Sequence, residues 1–185
     1  MGTPLVKSEG VRSISILKGV FDRNIVLADM KTMDAGSLEA KLAFENGADI
    51  VTVLGVADDA TIKSVVNAAR VYGRLVQADL INHPNPLSRA RELVDLGVDI
   101  IGLHVGIDVQ KEKRKTALVI KNLISRIRDI VGGDRYISVA GGIKPEDAGI
   151  FASAGADIIV IGSGITKSSN PRDKTLIALK NLGYR

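Results

Sequence analysis

Cysteine and tryptophan are absent from this chain of 185 residues, and aromatic residues make up only 3% of it. Without cysteine the protein has no disulfide bond, no thiolate metal ligand and no cysteine nucleophile, which fits a reducing compartment. With so few aromatic side chains, the core must consist of valine, isoleucine, leucine and alanine, a composition typical of parallel strands covered by helices. The same scarcity argues against the aromatic surfaces on which single-stranded nucleic acids stack.

Long apolar runs are also absent from the sequence. No stretch reaches the roughly 20 apolar residues that a membrane-spanning helix needs, and the first residues lack the basic-then-apolar order of a signal peptide. The net charge of +4 is small and suits a small anionic substrate better than nucleic acid. We therefore expect a single cytoplasmic domain over residues 1–185, with no membrane or nucleic-acid partner.

Hydrophobic periodicity predicts short strands that alternate with helices along the chain. The predicted strands cover residues 25–28, 48–54, 75–80, 99–103, 136–140 and 157–161. The predicted helices cover residues 11–20, 37–46, 60–72, 87–96, 109–130 and 174–182, with one more beginning near residue 144. Such alternation predicts an α/β fold with parallel strands. Both an open doubly wound sheet and a (β/α)8 barrel that lacks its first part fit this pattern.

A short motif repeats along the predicted elements. A helix ending on glycine is followed by an aspartate that opens an apolar strand, at Asp49, Asp99 and Asp157. Reuse of one unit in this way is typical of repeated βα structure.

Charged residues concentrate at the end of the first predicted strand, Ile25–Ala28. Asp29, Lys31 and Asp34 follow it directly, and strand alternation places Asp29 and Lys31 on one side. Ligand sites in parallel sheets lie at the carboxyl ends of the strands. The segment is therefore a candidate active site, while an ordinary salt bridge closing the strand end is the alternative.

Two other predicted strands end on residues that could join this site. Asp79 ends the third strand, where a loop or helix-capping carboxylate is the alternative. His104 follows the fourth strand and is a candidate general acid or base beside Asp29 and Lys31, the alternative being a core histidine hydrogen-bonded to backbone. His83 lies in a proline-containing loop, and we expect it at the surface.

Glycines follow the last two predicted strands, as Gly141-Gly142 and as Gly162-Ser163-Gly164. In barrels the loops after the last two strands often bind phosphate through backbone N–H groups, and glycine lets the backbone approach. Gly141, Gly142, Gly162 and Ser163 are therefore candidate phosphate-binding residues, although glycine pairs also mark ordinary turns.

The segment from Asp29 to Gly36, Asp-Met-Lys-Thr-Met-Asp-Ala-Gly, resembles a known signature. Asp-x-Lys-x-x-Asp after a strand is similar to the orotidine 5′-monophosphate decarboxylase superfamily, and the longer form resembles the 3-hexulose-6-phosphate synthase family within it. The resemblance continues through residues 51–55, 104–108 and 138–142 and covers nearly the whole chain. It implies a TIM barrel, a (β/α)8 fold, rather than an open sheet.

The resemblance also implies roles for these residues. Asp29 would be a Mg2+ ligand, which suits a hard carboxylate. Lys31 would stabilise charge and transfer protons, and Asp79 matches an acidic residue of the family. Asp34 would reach across a two-fold interface into the neighbouring subunit's site, which implies a homodimer.

The implied reaction is the aldol condensation of formaldehyde with D-ribulose 5-phosphate, or the reverse cleavage, through an enediolate. One alternative is a decarboxylase similar to 3-keto-L-gulonate-6-phosphate decarboxylase, but Ile107 and Ser163 stand where that enzyme has arginines. Another is a non-catalytic remnant that binds sugar phosphate or dimerises.

The resemblance further implies an N-terminally shortened barrel. In the family, two strands precede the Asp-x-Lys strand, and the second ends in Glu-apolar-Gly-Thr-Pro, of which Met1–Pro4 matches the end. We expect about six full strands, without the first βα unit and without the magnesium-ligating glutamate of the second strand. We therefore expect this chain to be much less active than a version that carries the glutamate.

Overall fold

The computed structural model describes residues 1–113 and 116–184. Its strands are β1 (Leu27–Thr32), β2 (Ile50–Leu54), β3 (Leu75–Asp79), β4 (Ile100–His104), β5 (Tyr136–Ala140) and β6 (Ile158–Val160). Its helices are α1 (Thr3–Glu9), α2 (Arg12–Val20), α3 (Gly36–Glu45), α4 (Asp59–Tyr72), α5 (Pro86–Asp95), α6 (Ile107–Lys113), α7 (Lys121–Val131), α8 (Ala148–Ser153), α9 (Ser163–Thr166) and α10 (Pro171–Asn181), with 3-10 turns at Ala117–Ile120 and Pro145–Asp147. The predicted alternation of strands and helices is confirmed.

The chain folds as two compact units. The first comprises Met1–Asp79 and Glu92–Ile100, and the second comprises Leu80–Arg91 and the chain from Ile101 onward. In the first unit β1, β2 and β3 are parallel neighbours in that order. In the second unit β5 and β6 are parallel, with Ser138 opposite Ile158. Strands of each unit bury apolar side chains, as the scarcity of aromatic residues predicted.

The first strand lies further along the chain than its apolar run predicted. Ile25 is 73% exposed, and β1 continues through Asp29 and Lys31 to Thr32. The strand extends into charged residues because their backbone groups have partners: the Asp29 N–H donates to the Met1 carbonyl at 3.0 Å, and the Lys31 N–H donates to the Thr52 hydroxyl at 2.9 Å. The charged pair therefore belongs to the strand itself.

The helices depart from prediction in three places. Helix α1 was not predicted, and Pro4 lies in its first turn, where the missing N–H costs nothing. Helix α9 was not predicted either. Helix α3 lies close to its predicted range; it exposes Leu38 and Leu42 and packs against α4 through Gly36, where a Cβ would lie 2.5 Å from the Thr61 carbonyl, and through the Phe44 ring. The single helix predicted over residues 109–130 is wrong: α6, a 3-10 turn and α7 lie there, and Arg114 and Lys115 are outside the described residues.

Within residues 1–113 and 116–184, no helix has the length and apolar character that crossing a bilayer requires.

The repeated aspartates form one structural device, an aspartate that ties the amino end of the neighbouring strand. The carboxylates of Asp49, Asp99 and Asp157 accept the backbone N–H groups of Val26, Val76 and Ile137 at 2.8, 2.8 and 2.7 Å. The repeat noticed in the sequence is therefore a repeated hydrogen bond at strand starts, where N–H groups would otherwise lack partners.

Each of these aspartates also pairs with a basic side chain. Arg70 donates to both carboxylate oxygens of Asp99 at 2.9 and 3.1 Å and to the Gly97 carbonyl at 2.6 Å. Arg128 binds the Gly155 carbonyl at 3.0 Å and a single carboxylate oxygen of Asp157, both through one nitrogen. The bidentate Arg70 pair and the single Arg128 bond both add directional bonds to an aspartate.

Asp49 shows the electrostatic result of this arrangement. Burial alone would raise the pKa of its carboxyl, but hydrogen bonds from Lys18 and the Val26 N–H, together with the charges of Lys18 and Arg74, hold that pKa below its usual value. The carboxylate therefore remains ionised and keeps its bonds at neutral pH.

Replacing one repeated aspartate tests its contribution to stability. We expect Asp99→Ala to lower the free energy of unfolding by about 1–3 kcal/mol, because the Val76 N–H and the Arg70 guanidinium lose their acceptor. Urea unfolding followed by circular dichroism measures this change. The matched control is Asp95→Ala, at an exposed position of α5, for which we expect a change within about 0.5 kcal/mol. Equal changes in the two variants would contradict a special role for the repeated aspartate.

Candidate functional site

The first unit contains a compact charged network at the carboxyl ends of β1 and β3. The Lys31 ammonium donates to Asp79 Oδ2 at 2.6 Å and to Asp29 Oδ1 at 3.1 Å. The Lys31 and Asp29 side chains are 22% and 23% exposed, whereas that of Asp79 is 4% exposed. The structure thus brings together three of the predicted site residues, and Asp79 is a member of the network rather than a loop carboxylate.

Two threonine hydroxyls also donate hydrogen bonds to Asp29. Thr52 donates to Asp29 Oδ1 at 2.9 Å, and Thr3 donates to Oδ2 at 2.7 Å. Sequence reasoning missed both threonines. A signal existed for Thr52, because it is a polar residue inside the otherwise apolar run of β2 and must find a partner when buried.

The backbone of Lys31 adopts a conformation that L-residues other than asparagine and aspartate rarely adopt. Its φ is 50°, and the pairing register of β1 with β2 shifts between Ala28 and Thr32. A left-handed non-glycine residue costs about 1–3 kcal/mol and persists only where its surroundings impose it. Strain of this kind is concentrated at functional sites, which supports an active site here.

The electrostatics of the network keep Lys31 protonated. Burial by itself would lower the pKa of the Lys31 ammonium, but the charges and hydrogen bonds of Asp79, and then of Asp29, outweigh that effect and raise the pKa above its usual value. Lys31 is therefore a permanent positive charge at neutral pH, held between two carboxylates.

Asp34 lies in the exposed turn between β1 and α3. Its carboxylate accepts the Ala35 N–H at 2.7 Å, and Ala35 has a left-handed φ of 52°. A hydrogen bond of 2.5 Å joins the Thr32 hydroxyl, which precedes the turn, to the Glu39 carboxylate, which follows it. In the part of the chain that the structure describes, no hydrogen bond or ion pair joins Asp34 to Lys31.

The second unit holds the other predicted residues. His104 is the last residue of β4 and is half-buried. The backbone N–H of Val105, which follows it, donates to the Ala140 carbonyl at the end of β5 at 3.2 Å. His83 lies half-buried in its loop, where its Nδ1 accepts the Asn85 N–H at 3.2 Å.

The two glycine-containing loops of the second unit pack against each other and against the end of β4. Gly141 has a φ of 117°, and a Cβ there would lie 2.5 Å from the Val105 carbonyl oxygen. A Cβ on Gly164 would lie 3.0 Å from the Ile143 carbonyl, so the loops after β5 and β6 are in contact. Ser163 begins the short helix α9. Packing explains Gly141, and phosphate binding by Gly141, Gly142, Gly162 and Ser163 stays a prediction.

The donor set around Asp29 fits a magnesium ion better than a transition metal. Among the described residues there is no group of three or more acidic, histidine or cysteine side chains that could hold a metal. Mg2+ commonly binds one or two carboxylates and keeps several waters. The Asp29 carboxylate is partly exposed, and its Oδ2 accepts the Thr3 hydroxyl, which leaves a second lone pair on that oxygen.

Comparison with known proteins places the chain in a family. Residues 1–176 match the orotidine 5'-phosphate decarboxylase / HUMPS family, and the chain belongs to it. Among the relatives, the 3-hexulose-6-phosphate synthase of Methylomonas aminofaciens is 42% identical over 171 residues, which are 92% of this chain and 79% of that protein. The 3-hexulose-6-phosphate synthase of Bacillus subtilis is 38% identical over 185 residues, 98% of this chain and 84% of that protein.

Solved structures agree with this assignment. A crystal structure of a 3-hexulose-6-phosphate synthase superposes with a TM-score of 0.91 at 38% identity, covering 98% of this chain and 84% of that one. The resemblance inferred from the Asp-x-Lys-x-x-Asp segment is confirmed. The predicted fold class is confirmed as an α/β chain of parallel strands that matches barrel structures of this family.

The raised pKa of Lys31 predicts a pH dependence of stability. A pKa that is higher in the folded than in the unfolded chain stabilises the fold fully below the unfolded value of about 10.4, and this contribution is lost as the pH rises through the folded value. We expect the free energy of unfolding of Lys31→Met to be lower than that of the parent by about 1–3 kcal/mol near neutral pH. This difference should become smaller above about pH 10.4. Urea unfolding at a series of pH values measures the difference.

The control is Lys63→Met, on the exposed face of α4, which should show no such narrowing. A gap between Lys31→Met and the parent that stays constant through the alkaline range would contradict the raised pKa.

Proposed function

We propose that this protein is an aldolase of the 3-hexulose-6-phosphate synthase type, which condenses formaldehyde with D-ribulose 5-phosphate or cleaves the product in reverse. The observation that carries the proposal is the Lys31 ammonium held between Asp29 and Asp79 at the carboxyl ends of parallel strands. The relatives named 3-hexulose-6-phosphate synthase support the same function, and their similarity extends over 92% and 98% of this chain.

Lys31 suits stabilisation of an enediolate rather than formation of a Schiff base. A lysine that attacks a carbonyl must lose its proton and is normally activated by a lowered pKa. The pKa of Lys31 is raised, so its ammonium stays charged and can offset the negative charge that develops on the substrate oxygens. The proposed reaction therefore proceeds without a covalent bond to lysine.

The reaction itself needs proton transfers that the chain must supply. A base removes a proton from C1 of ribulose 5-phosphate, the resulting enediolate carbon bonds to formaldehyde, and the formaldehyde oxygen takes up a proton. We assign the general acid or base role to His104, which ends β4, and a charge-positioning role on Lys31 to the buried Asp79.

We assign Asp29 as the protein ligand of a Mg2+ ion, supported by its partly exposed hard carboxylate. When bound, the ion would polarise the ketose oxygens and favour loss of the C1 proton.

For the substrate phosphate we propose the backbone of Gly141, Gly142, Gly162 and Ser163, supported by the contact between the two loops that contain them. We also propose a cytoplasmic location, which a chain without cysteine fits.

We further propose that the chain works as a homodimer in which Asp34 reaches the partner's Lys31. Asp34 is exposed and lies in a turn that is fixed by the bond between Thr32 and Glu39. Exposed apolar side chains lie on either side of it in the sequence, with Met33, Leu38 and Leu42 at 53%, 60% and 40% exposure. These exposed apolar side chains near Asp34 support the proposal, since a second copy of the chain would cover them.

The function is tested by formaldehyde-dependent consumption of ribulose 5-phosphate. We expect turnover by the parent chain in the presence of Mg2+, strong loss in Lys31→Ala and His104→Asn, and no release of carbon dioxide from 3-keto-L-gulonate 6-phosphate. Asp29→Asn should lose activity and, independently, weaken Mn2+ binding measured by electron paramagnetic resonance by at least about tenfold, since it removes an ionic ligand.

The control for the metal measurement is Asp22→Asn, an exposed carboxylate in the turn before β1. It should bind Mn2+ as the parent does. Parent-like binding by Asp29→Asn would remove Asp29 as the ligand, and absence of turnover by the parent would reject the synthase activity.

The shared site is tested by mixing two variants, each inactive alone. Lys31→Ala and Asp34→Asn chains should regain activity when combined, because each heterodimer contains one site with both residues intact. Random pairing makes about half of the dimers heterodimers with one intact site each, so we expect about a quarter of the parent activity. If heterodimers form, as native mass spectrometry would report, and no activity returns, Asp34 does not act across the interface.

A further inference from the structure

We propose that Thr52 is a positioning residue for the active-site network, acting through Lys31 and Asp29. Its one hydroxyl holds the left-handed backbone of Lys31 and the carboxylate of Asp29 at the same time. The proposal rests on the synthase function proposed above, and it adds a residue that the Asp-x-Lys-x-x-Asp segment does not contain.

The hydrogen bonds of Thr52 have a fixed direction. A backbone N–H can only donate, so the bond of 2.9 Å from the Lys31 N–H uses a lone pair of Thr52 Oγ1. The single hydroxyl proton is then directed to Asp29 Oδ1, also at 2.9 Å. Because Thr52 is 1% exposed, water does not compete for either bond. The hydroxyl therefore links the backbone of one catalytic residue to the side chain of another.

The strand pairing explains why this link is needed. The register of β1 with β2 breaks between Ala28 and Thr32, so Lys31 lies in an irregular part of the ladder. Its N–H bonds to a side chain instead of a strand carbonyl, and its φ is 50°. Without the Thr52 hydroxyl, the Lys31 backbone is free to relax towards the extended conformation that non-glycine residues favour. Such a change would move the ammonium away from Asp79, which it now approaches to 2.6 Å.

A second buried threonine provides a matched comparison. Thr32 ends β1 and is 3% exposed, but its hydroxyl donates to Glu39, outside the network of Lys31 with Asp29 and Asp79. Thr32→Val and Thr52→Val each remove one buried hydroxyl from the same pair of strands. Only Thr52→Val removes a bond to both Lys31 and Asp29.

The test compares steady-state kinetics of the parent, Thr52→Val and Thr52→Ser, together with melting temperatures of these chains and of Thr32→Val. For Thr52→Val we expect kcat to fall about 10–100-fold, the usual effect of losing a group that orients ligating or catalytic residues, with KM for ribulose 5-phosphate within about threefold of the parent. Thr52→Ser keeps the hydroxyl and should recover kcat to within about threefold. Thr32→Val should melt earlier, and it serves as the control for stability alone, because its hydroxyl fixes the turn that holds Asp34.

Other outcomes overturn the proposal. If kcat of Thr52→Val stays within about twofold of the parent, the hydroxyl does not position the site. If Thr52→Ser recovers none of the kcat that Thr52→Val loses, the effect is general loosening of the strands.

A parent chain with no turnover would reject the synthase function but would still leave Thr52 testable. In that case the readout is hydrogen exchange of the Lys31 amide by NMR. Protection should be lost in Thr52→Val and kept in Thr52→Ser and Thr32→Val. Unchanged protection in Thr52→Val would overturn the positioning role by itself.

Discussion

The attraction between one ammonium and two carboxylates governs the candidate active site. Lys31 is mostly buried, and a buried ammonium without partners would lose its proton or unfold its surroundings. Asp79 and Asp29 prevent this, and they do so strongly enough to raise the pKa of the ammonium. Everything nearby follows from keeping these groups together: the break in strand register, the left-handed backbone of Lys31, and the hydroxyls of Thr3 and Thr52 on Asp29.

This arrangement also decides which chemistry the lysine can perform. A lysine whose raised pKa keeps it charged at neutral pH is unsuited to covalent attack, but it is suited to a reaction in which negative charge appears on a substrate oxygen. Aldol chemistry through an enediolate is such a reaction. The family membership of the chain and the electrostatics of the Lys31 site therefore favour the same class of reaction by independent arguments.

The sequence predicted the alternation of elements and the charged segment, because both are local patterns. It placed the first strand too early, since Ile25 belongs to an apolar run but is exposed. It also merged α6, a 3-10 turn and α7 into a single helix over residues 109–130. Thr52 was missed because its role depends on the strand register, which no single segment specifies. Residues separated in sequence, such as Asp29 and Asp79, could be matched to one site only through the family resemblance and the common end of parallel strands.

The repeated aspartates have a consequence for how this protein can change over evolutionary time. They tie the amino ends of strands with bonds that involve none of the residues of the Lys31 network. Part of the stability of the fold therefore comes from bonds that lie outside the network at the carboxyl ends of β1 and β3. Substitutions there can alter substrate preference while the aspartates go on fixing the strands, so a single scaffold can diverge into several activities. The network and the aspartates should consequently accumulate substitutions at different rates.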